Sequence, residues 1–397
     1  MKITSYTLIA AAILGLAACK QQTPVDTDQA SAPTETSAGS SDTIKIGLAA
    51  PLTGNIAHLG KDVEYGAQMA IEEINAEGGL DLGGSKKKVE LVAEDDQADP
   101  KNATNVAQRF VDQKIAGVIG HLTSGTSIPA SKIYSDAGIA QISPSATALA
   151  YTAQGYKTTF RLTANDGQQG QALGQYAVNT LKVKKVAIVD DRTAYGQGLA
   201  DEFEKAVKAA GAEIVKREFT TNQETDFNAI LTSIKGAKPE LIFFGGMDAQ
   251  SAPFKKQTKK LGLTAIVMGA DGTKSPEFLK LAGADAEGTY GSTAGQSIDQ
   301  LPSGKEFNEK FKTKYGVDVQ VYAPYSYDAA KVLLAAMKQA GSSDPAKYLP
   351  VLSKIEHQGL TGSIAFDEKG DVKNAAVGIY VVKNGKWELA EMVGGAK

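Results

Sequence analysis

A chain of 397 residues, 42% of them hydrophobic, is too long for one ordinary domain and fits two α/β lobes of roughly 150 to 180 residues each. Its net charge of −3 argues against a nucleic-acid binder, which carries a basic patch. The densest basic run, Lys86-Lys87-Lys88, follows Gly83-Gly84 and reads as a solvated turn.

The N-terminus has the layout of an export signal. Lys2 precedes an apolar run from Leu8 to Leu16, about nine residues long and too short to span a ~30 Å hydrocarbon core. Leu16-Ala17-Ala18-Cys19 closes it with the small residues that a signal peptidase admits. Cys19 is the single cysteine of the chain and stands where a bacterial lipobox is acylated. Residues 1–18 are therefore expected as a signal peptide, and Cys19 as a lipidated N-terminus. The rest of the chain has no thiol for a disulfide, a metal site or a nucleophile. Residues 19–42, rich in Thr, Ser, Ala, Gln and Pro, read as a flexible tether of about 23 residues spanning ~25 Å. The expected location is the periplasmic side of the cell envelope, anchored to a bacterial membrane. No later run of about 18 apolar residues suggests a transmembrane helix.

From Ile44 short apolar strands alternate with amphipathic helices. Ile44 to Ala50, Val89 to Ala93, Gly117 to Gly120 and Ile139 to Ile142 are predicted strands, with helices over about 61–77 and 101–113. Past Arg161, Val186 to Val189, Glu213 to Val215, Leu241 to Phe244 and Ala265 to Met268 are strands. Helices near 167–181, 197–210, 226–235 and 250–261 separate them, and further helices begin near 303 and 324. The tail reads as strands Ile364 to Phe366, Val377 to Val382 and Trp387 to Leu389, the last two joined by a tight Asn384-Gly385 turn. Apolar, non-alternating strands between helices predict mainly parallel, doubly wound sheets covered on both faces.

In such sheets ligands bind beyond the carboxyl ends of the strands. Four polar loops sit there. His121-Leu122-Thr123-Ser124-Gly125-Thr126-Ser127 and Ser143-Pro144-Ser145-Ala146-Thr147 offer hydroxyls and helix N-termini, which favour an anion such as a carboxylate. Each alone is equally compatible with ordinary N-capping. Gly269-Ala270-Asp271-Gly272 brings a carboxylate that either pairs with a ligand ammonium or caps the helix beginning near Ser275. In Asp190-Asp191-Arg192-Thr193-Ala194-Tyr195-Gly196-Gln197-Gly198, Tyr195 either covers a ligand or packs on the lobe surface.

A dinucleotide loop fails at that last segment, because Asp201 takes the place of the third glycine and Asp190-Asp191 would oppose a pyrophosphate. His58, His121 and His357 are scattered, so no metal site is expected of them, and no catalytic motif or cofactor is read from the chain. The expectation is a binding protein rather than an enzyme.

Several segments together resemble the branched-chain amino-acid-binding protein family. They are Ala49-Ala50-Pro51-Leu52-Thr53-Gly54, Gly66-Ala67, Ile74-Asn75-Ala76-Glu77-Gly78-Gly79 and Asp95-Asp96-Gln97-Ala98-Asp99-Pro100. Val118 to Ser124, Tyr195 to Gly198 and Phe366 to Asp371 continue the match in the same order. The resemblance implies a type I periplasmic-binding fold, two lobes joined by three crossovers and closing like a hinge. Lobe one would be 43–162 plus 293–365, and lobe two 163–292 plus 366–397. It also implies capture of an α-amino acid by a monomer that delivers it to the permease of an ABC importer. By position, Ser124 and Thr147 match hydroxyls that hold the ligand carboxylate, and Ser145 a backbone contact. Tyr195 and Asp271 match lobe-two residues, the acid pairing with the ammonium, and Tyr322 matches an aromatic near the ligand side chain.

Three departures reshape the pocket. Leu59 stands where well-known members carry an aromatic, Asp271 where glutamate is common, and Met247-Asp248 where a tyrosine is expected. The headgroup clamp survives these changes, while the choice among leucine, isoleucine and valine stays open. Alternatives on the same fold are a binder of an amide, urea, a polyol or an aromatic acid, and a ligand sensor without a transporter.

Overall fold

The apolar runs pair into two main sheets in the computed structural model, which describes residues 43–395. The expected signal peptide, Cys19 and the expected tether lie outside the described residues. The first sheet contains β1 (Thr43–Ala50), β2 (Leu80–Asp81), β3 (Lys86–Asp95), β4 (Val118–Gly120), β5 (Gln141–Ser143) and β6 (Thr159–Arg161), in the order β2-β3-β1-β4-β5-β6. All its pairings are parallel except that of β2 with β3.

The second sheet begins with β7 (Lys185–Asp190), β8 (Glu213–Phe219), β9 (Leu241–Gly245), β10 (Ile266–Met268) and β11 (Tyr290–Thr293). A small hairpin of β12 (His357–Gly359) and β13 (Gly362–Ile364) intervenes before β14 (Ala376–Lys383) and β15 (Lys386–Gly394) complete the sheet. Its order is β15-β14-β11-β10-β9-β7-β8, with the last two strands of the chain antiparallel at one edge. Asn384 and Gly385, both at positive φ, make the turn between them.

Both sheets are doubly wound, and each reverses direction beside its first strand, between β1 and β4 and between β7 and β9. Strand β9 is buried along its whole length because helices cover both faces. One core gathers Ile46 and Leu48 with Val63, Leu333 and Met337; another gathers Val186, Ile188, Leu199, Phe203 and Phe243.

Helices over 57–76 and 323–340 lie together on the first sheet. They approach closely at Gly66, where a Cβ would run into the Ala323 carbonyl. One turn earlier the buried Asp62 accepts hydrogen bonds from the backbone N–H groups of Gln320, Val321, Tyr322 and Ala323 at 2.6–2.9 Å. The last two are orphan donors at the start of the helix over 323–340, and the carboxylate fixes where that helix begins.

Three crossovers join the layers, at residues 162–165, 294–297 and 373–375. The third falls later than the break expected at 365/366. Phe366 packs in the first core, and Val372 donates its N–H to the Arg161 carbonyl beside β6. Lys86-Lys87-Lys88 is also not a turn but the start of β3. Lys86 and Lys88 donate to the carbonyls of Glu77 and Asn75, where cations suit a helix C-terminus.

Candidate ligand-binding site

On the first layer, Thr123 caps the helix over Ser124–Asp136, which leaves Ser124 free of that duty. Its hydroxyl oxygen accepts from the Ala148 N–H at 3.0 Å and keeps its proton for another partner. Ser145 donates to the Leu122 carbonyl at 2.8 Å, so the loops after β4 and β5 are sewn together. The Thr147 hydroxyl is buried with no hydrogen-bond partner. Fully buried Arg161 donates to the carbonyls on either side of it, Ala146 at 3.1 Å and Ala148 at 2.9 Å. The same guanidinium binds Asp371 through Nε at 3.0 Å and Nη2 at 2.6 Å, and Thr152 through Nη2 at 2.8 Å.

On the second layer, Thr193 caps the helix over Ala194–Ala209 and so sets Tyr195 in its first turn. Tyr195 donates its hydroxyl to Asp271 Oδ1 at 2.8 Å and accepts from the Gly272 N–H at 2.9 Å. Gln169 donates to the same Oδ1 at 3.2 Å. The other carboxylate oxygen accepts from Tyr322 at 2.9 Å, and Tyr322 belongs to the first layer, where Asp62 holds its backbone. Asp271 is thus gripped from both layers. It caps no helix; Ser275 does that by accepting from the Phe278 N–H.

Among the described residues, the three side-chain donors to Asp271 are all neutral. Burial pushes its carboxyl above the usual carboxylate range, and the three hydrogen bonds offset part of that shift. Burial and the nearby acid hold the Tyr195 and Tyr322 phenols well above their ordinary values, so both remain donors. A buried carboxylate without a cation carries a desolvation cost of several kcal/mol, which an arriving ammonium would offset.

The structure brings Tyr195, Asp271 and Tyr322 into direct contact and places Ser124, Ser145 and Thr147 on adjoining loops. Leu59 is buried in the same first core that holds Tyr322. The preceding residue, His58, instead meets Asp248 of the second layer at 2.7 Å. Met247 packs against both cores.

Asp166 was not apparent from sequence. It opens the helix over Asp166–Gln175, is fully buried, and has two carboxylate oxygens without a hydrogen-bond partner. The sequence signal was its setting: Asn165 and Gln168 form a capping box, which places Asp166 at the first helical position just past a crossover. A separate cavity of about 430 Å³, lined by Leu162, Ala294, Gln296, Ile364 and Val372, lies at the crossovers and includes none of these polar side chains.

His121, a metal-ligand candidate by residue type, is buried between Asp96 at 2.7 Å and Tyr134 at 3.1 Å. Among the described residues no group of three or more His, Cys, Asp and Glu side chains is arranged to hold a metal ion.

Two doubly wound layers, joined by three crossovers and meeting over a buried acid and a set of hydroxyls, define a two-lobed ligand-binding protein. The chain belongs to the periplasmic binding protein family, whose model matches residues 43–386. It is 40% identical to an amino acid binding protein of Pseudomonas aeruginosa, over 85% of this chain and 89% of that one. It is 36% identical to the leucine-, isoleucine-, valine-, threonine- and alanine-binding protein of the same organism, over 85% and 90%. The crystal structure of the branched-chain amino acid transporter substrate-binding protein LivJ from Streptococcus pneumoniae, in complex with isoleucine, superposes with a TM-score of 0.80. That chain is 31% identical, with 89% of this chain and 99% of that one covered.

Proposed function

We propose that the protein captures an α-amino acid with an aliphatic or related side chain between its lobes and delivers it to an ABC importer. The observation that carries this reading is Asp271, a buried carboxylate held by neutral donors from both layers, with no cationic side chain paired to it among the described residues. A ligand ammonium supplies that cation. The Ser124 hydroxyl, the Thr147 hydroxyl and nearby backbone N–H groups supply donors for a ligand carboxylate. The relatives named for amino acids, and the isoleucine complex of the similar structure, support the same ligand class.

Because groups of both lobes meet around the ligand, binding favours the closed arrangement over the open one by the contacts that only closure makes. The proposal includes anchoring: export by residues 1–18, lipid on Cys19, and a tether that lets the lobes move near a permease. Among the described residues no helix is long and apolar enough to cross a membrane.

A thermal-shift panel of amino acids, amides, urea, polyols and aromatic acids tests the reading. A true ligand at ~100 times its dissociation constant stabilises the fold by about 2.7 kcal/mol. A shift with an aromatic acid or an amide, and none with any amino acid, refutes the assignment.

A further inference from the structure

Lysine is almost never buried without a partner, because desolvating an ammonium costs several kcal/mol. Lys274 is such a residue. It is 9% exposed, and among the described residues no hydrogen bond or ion pair reaches its amine, which lies over the Tyr380 ring at 4.7 Å. Its stem runs beside β11, where a Cβ added at Gly291 would meet the Lys274 Cβ at 3.0 Å.

Lys274 lines a cavity of about 20 Å³ whose wall comes from both layers and from two crossovers. Thr163 belongs to the crossover at 162–165 and Ser297 to that at 294–297, while Tyr322 and Tyr325 belong to the first layer. The Thr163 hydroxyl is buried and has no hydrogen-bond partner among the described residues. The neighbouring hydroxyls are committed. Ser297 bonds Asp299 at 2.9 Å and Tyr380 at 2.7 Å, Tyr322 donates to Asp271, and Tyr325 donates to the Gln296 carbonyl.

Two uncommitted donors on one wall call for an acceptor, and the amine calls for negative charge as well. A water accepts from both but leaves the charge uncompensated. The volume admits one body of about water size, too little for a phosphate, a sulfate or a carboxylate. We propose that Lys274 and Thr163 bind a monatomic anion of chloride size at the hinge, a second site separate from the amino-acid cleft. Burial holds the Lys274 amine below its ordinary value, and the exposed Asp299 carboxylate offsets part of that. An anion in contact with the amine stabilises its charged form further. Because both layers wall the cavity, the ion favours the closed arrangement. By linkage, the halide and any ligand that closes the lobes then raise each other's affinity.

The test is thermal melting of the ligand-free chain in sodium chloride, bromide and gluconate at equal ionic strength, with Lys274→Met and Thr163→Val alongside. Gluconate is too large for the cavity. The wild type should melt higher in chloride and bromide than in gluconate, by an increment that saturates with halide. Lys274→Met should melt alike in all three salts. Thr163→Val should need about threefold more chloride for half of the increment, the worth of one neutral hydrogen bond. In crystals grown with bromide, the anomalous signal should fall beside the Lys274 amine, a result that holds whether or not the variants fold. Equal melting of the wild type in the three salts, an undiminished increment in Lys274→Met, or no bromide at Lys274 overturns the site. These readings use no amino acid, so their failure leaves the amino-acid reading intact, and failure of that reading leaves a halide result standing.

Discussion

The His58 imidazole and the Asp248 carboxylate meet at 2.7 Å and join the two layers by a hydrogen bond that becomes an ion pair when His58 is protonated. Asp248 is fully buried at the start of the helix over Asp248–Lys260, and its Oδ2 also accepts from the Ser275 hydroxyl at 2.5 Å. In the branched-chain amino-acid-binding family that this sequence resembles, aromatics are expected beside both positions. Here a histidine–carboxylate contact bridges the lobes instead, one residue before Leu59 and one after Met247.

Burial disfavours the charged form of His58, but the hydrogen bond and charge of Asp248, with smaller contributions from Glu277 and Asp62, raise it above the ordinary 6.5. A raised histidine contributes closure that is fully present below the ordinary value and is lost as pH climbs through the raised one. The ligand-free wild type should therefore expand between pH 5.5 and pH 8.5 in small-angle scattering. His58→Gln should be expanded at both. A radius of gyration that is constant in the wild type would remove His58 from the closing equilibrium.

Arg161 and Asp371 support a second prediction. The guanidinium is fully buried and braces both carbonyls that flank Thr147. Asp371→Ala strands that charge, which should cost about 3 kcal/mol of stability in urea denaturation. It should also weaken ligand binding, because the Thr147 loop loses its brace. Unchanged stability would mean that the remaining carbonyl bonds suffice.

Gly196 lies against the end of β9. A Cβ there would run into the Gly245 carbonyl and the Asp191 carboxylate, whereas at Gly198 it would meet only Asp166 Oδ2, at 3.5 Å. Gly196→Ala should displace the first turn that carries Tyr195, lowering stability by about 1–3 kcal/mol and weakening binding. Gly198→Ala should melt near the wild type. Equal melting temperatures for the two variants would contradict this packing argument.

Much of this architecture was legible in the sequence because buried parallel strands write themselves as short apolar runs. Val186 to Val189 and Leu241 to Phe244 fall inside β7 and β9 as read. The polar loops after strands were legible for the same reason: a strand end is visible, and fold logic puts ligands there. What failed were long-range choices. Lys86-Lys87-Lys88 looked like a turn, yet two of its amines serve a helix C-terminus that is close only in the fold. The reach of His58 to Asp248, 190 residues away, was likewise invisible beside Leu59, because only packing brings them together. Asp166 looked like an unremarkable acid near a helix start, since its isolation from partners is a property of three elements meeting.

Asp271 is the central claim, and calorimetry of Asp271→Ala with leucine, isoleucine and valine tests it most directly. The account predicts that the variant folds and that the wild type's amino-acid affinity falls at least tenfold, a loss of more than ~1.4 kcal/mol. An Asp271→Ala chain that binds these amino acids as tightly as the wild type would contradict it.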